Sequence, residues 1–297
     1  MMTGLIILNP YANRWEASKQ KDPILKICHE LDLSFELVET QKPLEAIELA
    51  RQATDDGLQP IIAAGGDGTI GEVLNGLYAS CHTQSMPKFG IIPLGTANDL
   101  ITNLGHPKSI LESIQLIRQG NTRKIDLGKV NEWVFANNSA VGLEPIVSQY
   151  NIQMTWSRGV VRYLLAALRA IWGRPTWDVK LRWDEGEYEG PMSLISVGNG
   201  AITGGLFRMA PGALLDDGAL TFVHGFAPSR RRMLTLLPRA ISGNYINDPA
   251  IHQHHTTKLQ IKTEPSTPLQ TDGEIRTEAA FEFNYEVLPS ALEIYSP

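Results

Sequence analysis

A chain of 297 residues is long for one hydrophobic core, so two domains are expected. With 43% apolar and 20% charged residues it is no disordered or fibrous chain, and a net charge of -6 excludes general electrostatic binding of nucleic acid. The two cysteines, Cys28 and Cys81, give no disulfide framework and fit the cytoplasm.

The first part alternates strand-like and helix-like segments. Leu5–Leu8 is a short apolar run stopped by Asn9-Pro10, too short and without the basic flank of a signal peptide. Apolar spacing predicts a helix over Pro23–Leu31, a strand over Ser34–Thr40 and a helix over Leu44–Ala53 opened by Pro43. A strand at Ile61–Ala64 leads through Gly65-Gly66-Asp67-Gly68-Thr69 into a helix reaching about Tyr78. A further strand, Phe89–Ile92, runs into the turn Pro93–Leu100, and Ser109–Arg118 reads as a helix. Repeated β–α alternation predicts a parallel sheet with flanking helices, whose nucleotide sites lie at the carboxyl ends of the strands.

After about Asp126 the period changes. Trp133–Asn137, Trp177–Trp183, Met192–Val197, Leu220–Phe226, Leu259–Thr263 and Phe281–Tyr285 read as strands, with helices at Val160–Trp172 and Arg231–Ile241. This predicts an antiparallel β-sandwich, with a last strand Leu292–Tyr295 free to pair with either domain. The segment Trp156–Arg174 reads first as a core-facing amphipathic helix and second as a membrane-surface element. His252, His254 and His255 match no metal-ligand spacing and read as a polar loop. No window reaches the apolar length of a membrane span, so a lipid substrate would be met at the membrane surface.

The chemistry concentrates in the glycine turns. A strand feeding a glycine turn feeding a helix brings backbone N–H groups against phosphate oxygens, and glycine permits the close approach. Asp67 repels a bare phosphate, so its presence there points to a metal ion or a proton acceptor. The second turn adds Thr96, Asn98 and Asp99, and neighbouring strands would set Asp99 beside Asp67 as oxygen ligands for Mg²⁺. Asp126 reads equally as a third ligand or as a strand-end or hinge carboxylate. Asn9-Pro10 and Thr271-Asp272-Gly273-Glu274 are, taken singly, ordinary turns. Asp216-Asp217-Gly218 reads as a hairpin turn whose carboxylate could also hold a structural cation.

The order of these motifs resembles the diacylglycerol kinase catalytic family, in particular bacterial soluble lipid kinases similar to sphingosine kinases. Asn9-Pro10, Gly65–Thr69 with Glu72, Pro93–Leu100, Ile125–Gly128, Val197–Gly200, Ala210–Leu220 and Asp272-Gly273-Glu274 carry the resemblance. It implies an α/β nucleotide-binding domain at 1–127, a β-sandwich lipid domain at 128–281 and a segment 282–297 returning to the first, with ATP and lipid meeting in the cleft. It implies ATP contacts from Asn9, Thr40, Gly66, Asp67, Gly68, Thr69, Ile70, Gly71, Glu72 and Thr96. Asp67, Asp99 and Asp126 resemble the acidic cluster that organises the catalytic Mg²⁺, and Glu274 matches the family's proton acceptor. A second, structural Mg²⁺ is implied at Leu214, Asp217 and Ala219, the first and last through backbone carbonyls. The first loop departs from the family by running Tyr11-Ala12-Asn13-Arg14, and Gly71 stands where asparagine is common. The implied activity is transfer of the ATP γ-phosphate to a lipid hydroxyl by a cytoplasmic enzyme acting at the inner face of the membrane. An NAD kinase and a catalytically idle lipid-binding protein of the same fold are the alternatives.

Overall fold

The computed structural model describes residues 4–13, 15–81, 86–154, 159–173 and 175–297. Arg14 of the first loop, and Trp156, Ser157, Arg158 and Arg174 of the predicted amphipathic segment, lie outside the described residues. The chain divides into two compact units, Met1–Ile125 with Ser290–Pro297, and Asp126–Pro289.

In the first unit β1 (Gly4–Leu8), α1 (Lys21–Glu30), β2 (Phe35–Glu39), α2 (Glu45–Asp55), β3 (Ile61–Gly65), α3 (Asp67–Ser80), β4 (Phe89–Pro93), α4 (Asp99–Leu104) and α5 (Ile110–Gln119) follow in order. The strands pair in parallel in the order β2-β1-β3-β4. Every residue of β1, β3 and β4 is buried, because helices cover both faces of the sheet; hence the unbroken apolar runs in the sequence. On one face Ile24 and Cys28 of α1 and Ile114 and Ile117 of α5 pack with Ile6, Leu8, Ile62 and Ile92. Burial there pushes the Cys28 thiol up to about 11. On α2 and α3, Gly76 lies so close to α2 that a Cβ would fall 2.2 Å from the Ile47 carbonyl oxygen. The turn read across Pro93–Leu100 is shorter than expected, since α4 already begins at Asp99.

The second unit is antiparallel. It contains β5 (Thr122–Val130, whose first residues belong to the first unit), β6 (Trp133–Phe135), β7 (Asn138–Gly142), α6 (Leu143–Gln153) and α7 (Gly159–Gly173). There follow β8 (Trp177–Trp183), β9 (Gly186–Met192), β10 (Leu194–Gly198), β11 (Leu220–Gly225), α8 (Arg230–Ser242), β12 (Ile251–Thr256), β13 (Lys258–Thr271) and β14 (Glu274–Tyr295, whose residues from Ser290 on belong to the first unit). One run of pairing is β12-β11-β10-β7-β13. The strand β13 serves two layers: Leu259–Glu264 pair with β8, whereas Leu269–Thr271 pair with β7, and its register on β14 shifts between Lys262 and Thr267. Between the layers Val179, Leu181, Leu259, Ile261 and Phe283 meet Val141, Ile195, Val197 and Phe222, giving the sandwich core.

Two readings change. His252, His254 and His255 are not in a loop: they lie on β12, paired with β11, and the His254 ring stacks 5.0 Å from Phe222 and 4.5 Å from Trp183. Asp126 is not at a strand end but inside β5. In α7, Ala166, Ala167 and Ala170 are buried, while Val161 and Trp172 stand 62% and 71% exposed, the Trp172 ring under the Arg230 guanidinium.

Candidate active site

Three loops leave the carboxyl ends of β1, β3 and β4, where parallel strands of one sheet end together. The Asn9 N–H donates to the Ala64 carbonyl at 3.0 Å, and the Leu94 N–H to the Gly65 carbonyl at 2.8 Å. The Asn9 amide Nδ2 donates to Thr69 Oγ1 at 3.0 Å, tying the first loop to the glycine turn. Thr96 Oγ1 reaches Asn13 Oδ1 at 3.4 Å, joining the first loop to the third. Gly66 is the extended N-cap of α3, and no side chain caps this 14-residue helix. An uncapped helix start among glycines fits a phosphate, since the first-turn N–H groups have no intrahelical acceptor. Thr69, Ile70 and Gly71 are buried, and the Ile70 N–H already donates to the Gly66 carbonyl at 3.0 Å.

Asp67 has a built-in structural task. Its Oδ1 accepts from the Asp99 N–H at 2.9 Å and from the Leu100 N–H at 3.4 Å, so it caps α4 and brings Asp99 beside the turn. Glu72 Oε1 accepts the Leu44 N–H at 3.2 Å, and the Thr40 N–H donates to the Leu8 carbonyl at 2.9 Å. Gly66 and Gly95 touch: a Cβ on Gly95 would fall 2.4 Å from the Gly66 Cα. Gly95→Ala therefore has to push the two turns apart, and ATP affinity should fall about tenfold or more. Titration with a fluorescent ATP analogue reads this, with circular dichroism as the check on folding. Unchanged affinity would remove the contact between the turns from the nucleotide site.

In the second unit Asp126 is 1% exposed. Its N–H donates to the Leu215 carbonyl at 2.7 Å, and its Oδ2 accepts the Gly218 N–H at 2.7 Å. Asn199 Nδ2 donates to the Asp126 carbonyl at 2.9 Å. The structure thus groups Asp126 with the loop that holds Leu214, Asp217 and Ala219. Leu214 is exposed, and Asp217 Oδ1 accepts the Ala219 N–H at 3.1 Å. Among the described residues no three His, Cys, Asp or Glu side chains converge to hold a metal ion. The donors present are nonetheless the hard oxygens that suit Mg²⁺.

Glu274 opens β14, exposed, directly after a two-residue turn in which Asp272 has φ 48° and Gly273 φ 85°. The buried Asp272 carboxylate fixes that turn. It accepts the N–H groups of Ala136 at 3.0 Å and of Asn137 and Asn138 at 2.9 Å each. Burial pushes its carboxyl above the usual range, opposed by those three donors and by Arg276. Gln270 Oε1 also accepts the Gly273 N–H at 2.7 Å.

The same unit holds an apolar pocket, partly open to solvent. Leu143, Val147, Ile171, Phe207, Met233 and Leu236 line it, with Glu144, Tyr163, Ser193 and Tyr245 as its polar members. Nearby, Asp248 joins α8 to the approach of β12 by accepting from Arg232 at 2.5 Å and Arg239 at 3.2 Å, so Arg232 is already paired.

Residues 3–130 match the model of the diacylglycerol kinase catalytic domain, and residues 138–296 that of the YegS C-terminal NAD kinase beta sandwich-like domain. The chain belongs to the YegS-like diacylglycerol kinase family of bacterial lipid kinases. A diacylglycerol kinase of Staphylococcus carnosus is 27% identical, covering 98% of this chain and 94% of that protein. A probable YegS-like lipid kinase of Chromohalobacter salexigens is 29% identical, covering 85% and 81%. A solved structure of a diacylglycerol kinase candidate from Bacillus anthracis aligns over 100% of this chain and 97% of its own, with a TM-score of 0.82 and 25% identity.

Within this lipid-kinase fold, two residues escaped sequence reasoning. Asp272 looked like part of a turn, yet its side chain holds that turn to the 136–138 backbone. Glu144 carried no motif at all. Its only sequence signal is a carboxylate in the first turn of a segment that turns out to be a helix, after a glycine with φ 87°.

Proposed function

We propose that the chain phosphorylates a lipid hydroxyl with ATP and Mg²⁺, with residues 1–127 and 282–297 serving the nucleotide and 128–281 serving the lipid. Bound Mg-ATP supplies the transferable γ-phosphoryl group and offsets part of its charge. The backbone of Gly66, Asp67, Gly68, Thr69, Ile70 and Gly71 cradles the phosphates, with Asn9, Thr40, Glu72 and Thr96 completing the nucleotide site. Asp67, Asp99 and Asp126 would supply carboxylate oxygens to a catalytic Mg²⁺, and Leu214, Asp217 and Ala219 would hold a structural one. Glu274 takes the proton from the lipid hydroxyl as that oxygen attacks the γ-phosphorus in line.

The observation that carries the lipid reading over an NAD kinase is the apolar pocket of the second unit. Its apolar lining suits an acyl chain, and a dinucleotide would find few polar partners there.

The test incubates purified protein with Mg²⁺ and labelled ATP against diacylglycerol, phosphatidylglycerol, sphingoid bases and NAD. Phosphorylation of at least one lipid and not of NAD is expected. Label on NAD alone would make the chain an NAD kinase, and label on nothing would make it the idle lipid-binding form.

A further inference from the structure

The loop after β1 leaves two large aromatic side chains in solvent, Tyr11 at 39% and Trp15 at 63% exposure. Neither ring is in the apolar cluster that covers this face of the sheet, although Ala12 between them in sequence packs against it. The two rings meet edge to face, with centroids 4.4 Å apart and planes at 78°. In such a contact Trp15 covers at most one face of the Tyr11 ring, so a face is left for another flat partner.

Tyr11 is also fixed in place. Its Oη donates to the Gln41 carbonyl at 3.1 Å, just past β2, and its N–H donates to Asn9 Oδ1 at 3.0 Å. Its carbonyl accepts the Trp15 N–H at 3.4 Å. The same Asn9 side chain donates from Nδ2 to Thr69 Oγ1 at 3.0 Å, so one amide joins the Tyr11 backbone to the glycine turn. Trp15 has φ 72°, in the left-handed region that a bulky residue adopts only at a cost. The ring pair is thus held beside the turn, against a backbone cost, while exposed to water.

We propose that the Tyr11 ring, steadied by Trp15, stacks on the base of the bound nucleotide and gives the site a preference for a purine triphosphate. This rests on the ATP reading given above and names a specificity-determining residue for it. A nucleotide sets its base one ribose away from its phosphates, and Tyr11 stands one side chain away from the turn that would take those phosphates. Thr40 and Glu72, both in the proposed nucleotide site, border the same place. Gln41, which holds the Tyr11 hydroxyl, follows Thr40, and Glu72 Oε1 accepts the Leu44 N–H at 3.2 Å. Leu44 is itself 51% exposed and adds a second apolar surface at this end of the sheet. Stacking on an aromatic ring needs no hydrogen-bond readout, and a purine offers it the larger π-face.

The test is calorimetry on the full chain with Mg²⁺ and ATP, CTP or inorganic tripolyphosphate, the last having no base to stack. The wild type should bind ATP about fivefold or more tightly than CTP. Tyr11→Ala should weaken ATP binding about tenfold, narrow the gap to CTP, and leave tripolyphosphate affinity within about twofold. Tyr11→Phe keeps the ring and loses only the bond to Gln41, so its ATP affinity should stay within about threefold of wild type. Equal losses of ATP and tripolyphosphate affinity in Tyr11→Ala would make Tyr11 a mere holder of the loop and overturn the inference. Equal wild-type affinities for ATP and CTP would overturn it too, as would unchanged ATP affinity in Tyr11→Ala. In that last case, loss of binding to phosphatidylglycerol vesicles would assign the ring pair to a membrane surface instead. Phosphate transfer to lipid is scored separately. The Tyr11 pattern without transfer sinks the kinase reading alone; transfer without the Tyr11 pattern sinks this inference alone; no binding of ATP or tripolyphosphate sinks both.

Discussion

Glu274→Gln should lose turnover by about 10²–10⁴-fold while ATP affinity and thermal stability stay at wild-type levels. Glutamine has nearly the shape of glutamate but cannot take a proton from an attacking hydroxyl. Glu274 is exposed and heads a strand whose turn is fixed by other residues, so nothing in the fold depends on its charge. A drop in turnover with no change in nucleotide binding is therefore attributable to the chemical step. Lipid phosphorylation is followed under saturating ATP, with nucleotide binding titrated in parallel. Turnover above about a tenth of wild type would reject Glu274 as the base. Loss of ATP affinity together with turnover would point instead to a nucleotide or metal role.

Asp272→Ala should cost about 3 kcal/mol or more of stability and most of the turnover, although Asp272 itself takes no part in the proposed chemistry. Three backbone N–H groups, of Ala136, Asn137 and Asn138, donate to this one carboxylate inside the protein. Truncation leaves all three without an acceptor, and each unsatisfied buried donor costs about 1–3 kcal/mol before any water enters. The turn also loses its hold on the 136–138 strand edge, so Glu274 no longer starts from a fixed place. Asp272→Asn is the discriminating partner. Asparagine tolerates the left-handed φ of 48° and keeps one acceptor oxygen, so it should recover part of the stability. Chemical denaturation and turnover are measured on both variants. Wild-type stability in Asp272→Ala would show that water satisfies the three donors, and the anchoring role would fall.

The first unit was largely legible in the sequence because its physics is local. A strand buried on both faces must be apolar at every position, and a helix covering it must be apolar every third or fourth residue, so Ile61–Ala64 and Leu44–Ala53 declare themselves. The glycine turn is legible for a related reason: backbone approach to a phosphate requires glycine where a Cβ would intrude. In the second unit the strands that escaped notice are those whose partners supply the missing pattern. The segment Asn138–Gly142 opens with two polar residues yet is wholly buried, its amide and hydroxyl groups bonded to Glu144, Gln270 and Tyr285. His254 of Ile251–Thr256 looks polar until its ring meets Trp183 and Phe222. Long β13 and β14 were read as short pieces because a register shift interrupts their alternation.

The sequence by itself determined the β–α order of the first unit, the antiparallel character of the second, the two glycine turns and the family resemblance that the comparisons bore out. Those follow from periodicity and from residue types that few backbone conformations tolerate, and both are written along the chain. Tertiary structure alone decided that Asp67 caps the helix bearing Asp99, that Asp126 sits against the Leu215–Gly218 loop, that Asp272 fixes the turn before Glu274, and that Glu144 faces an apolar pocket. Each of these is a contact between residues about 30 to 140 positions apart, or a burial made by several distant segments at once. A single carboxylate has no period, so its environment exists only once the strands around it have paired.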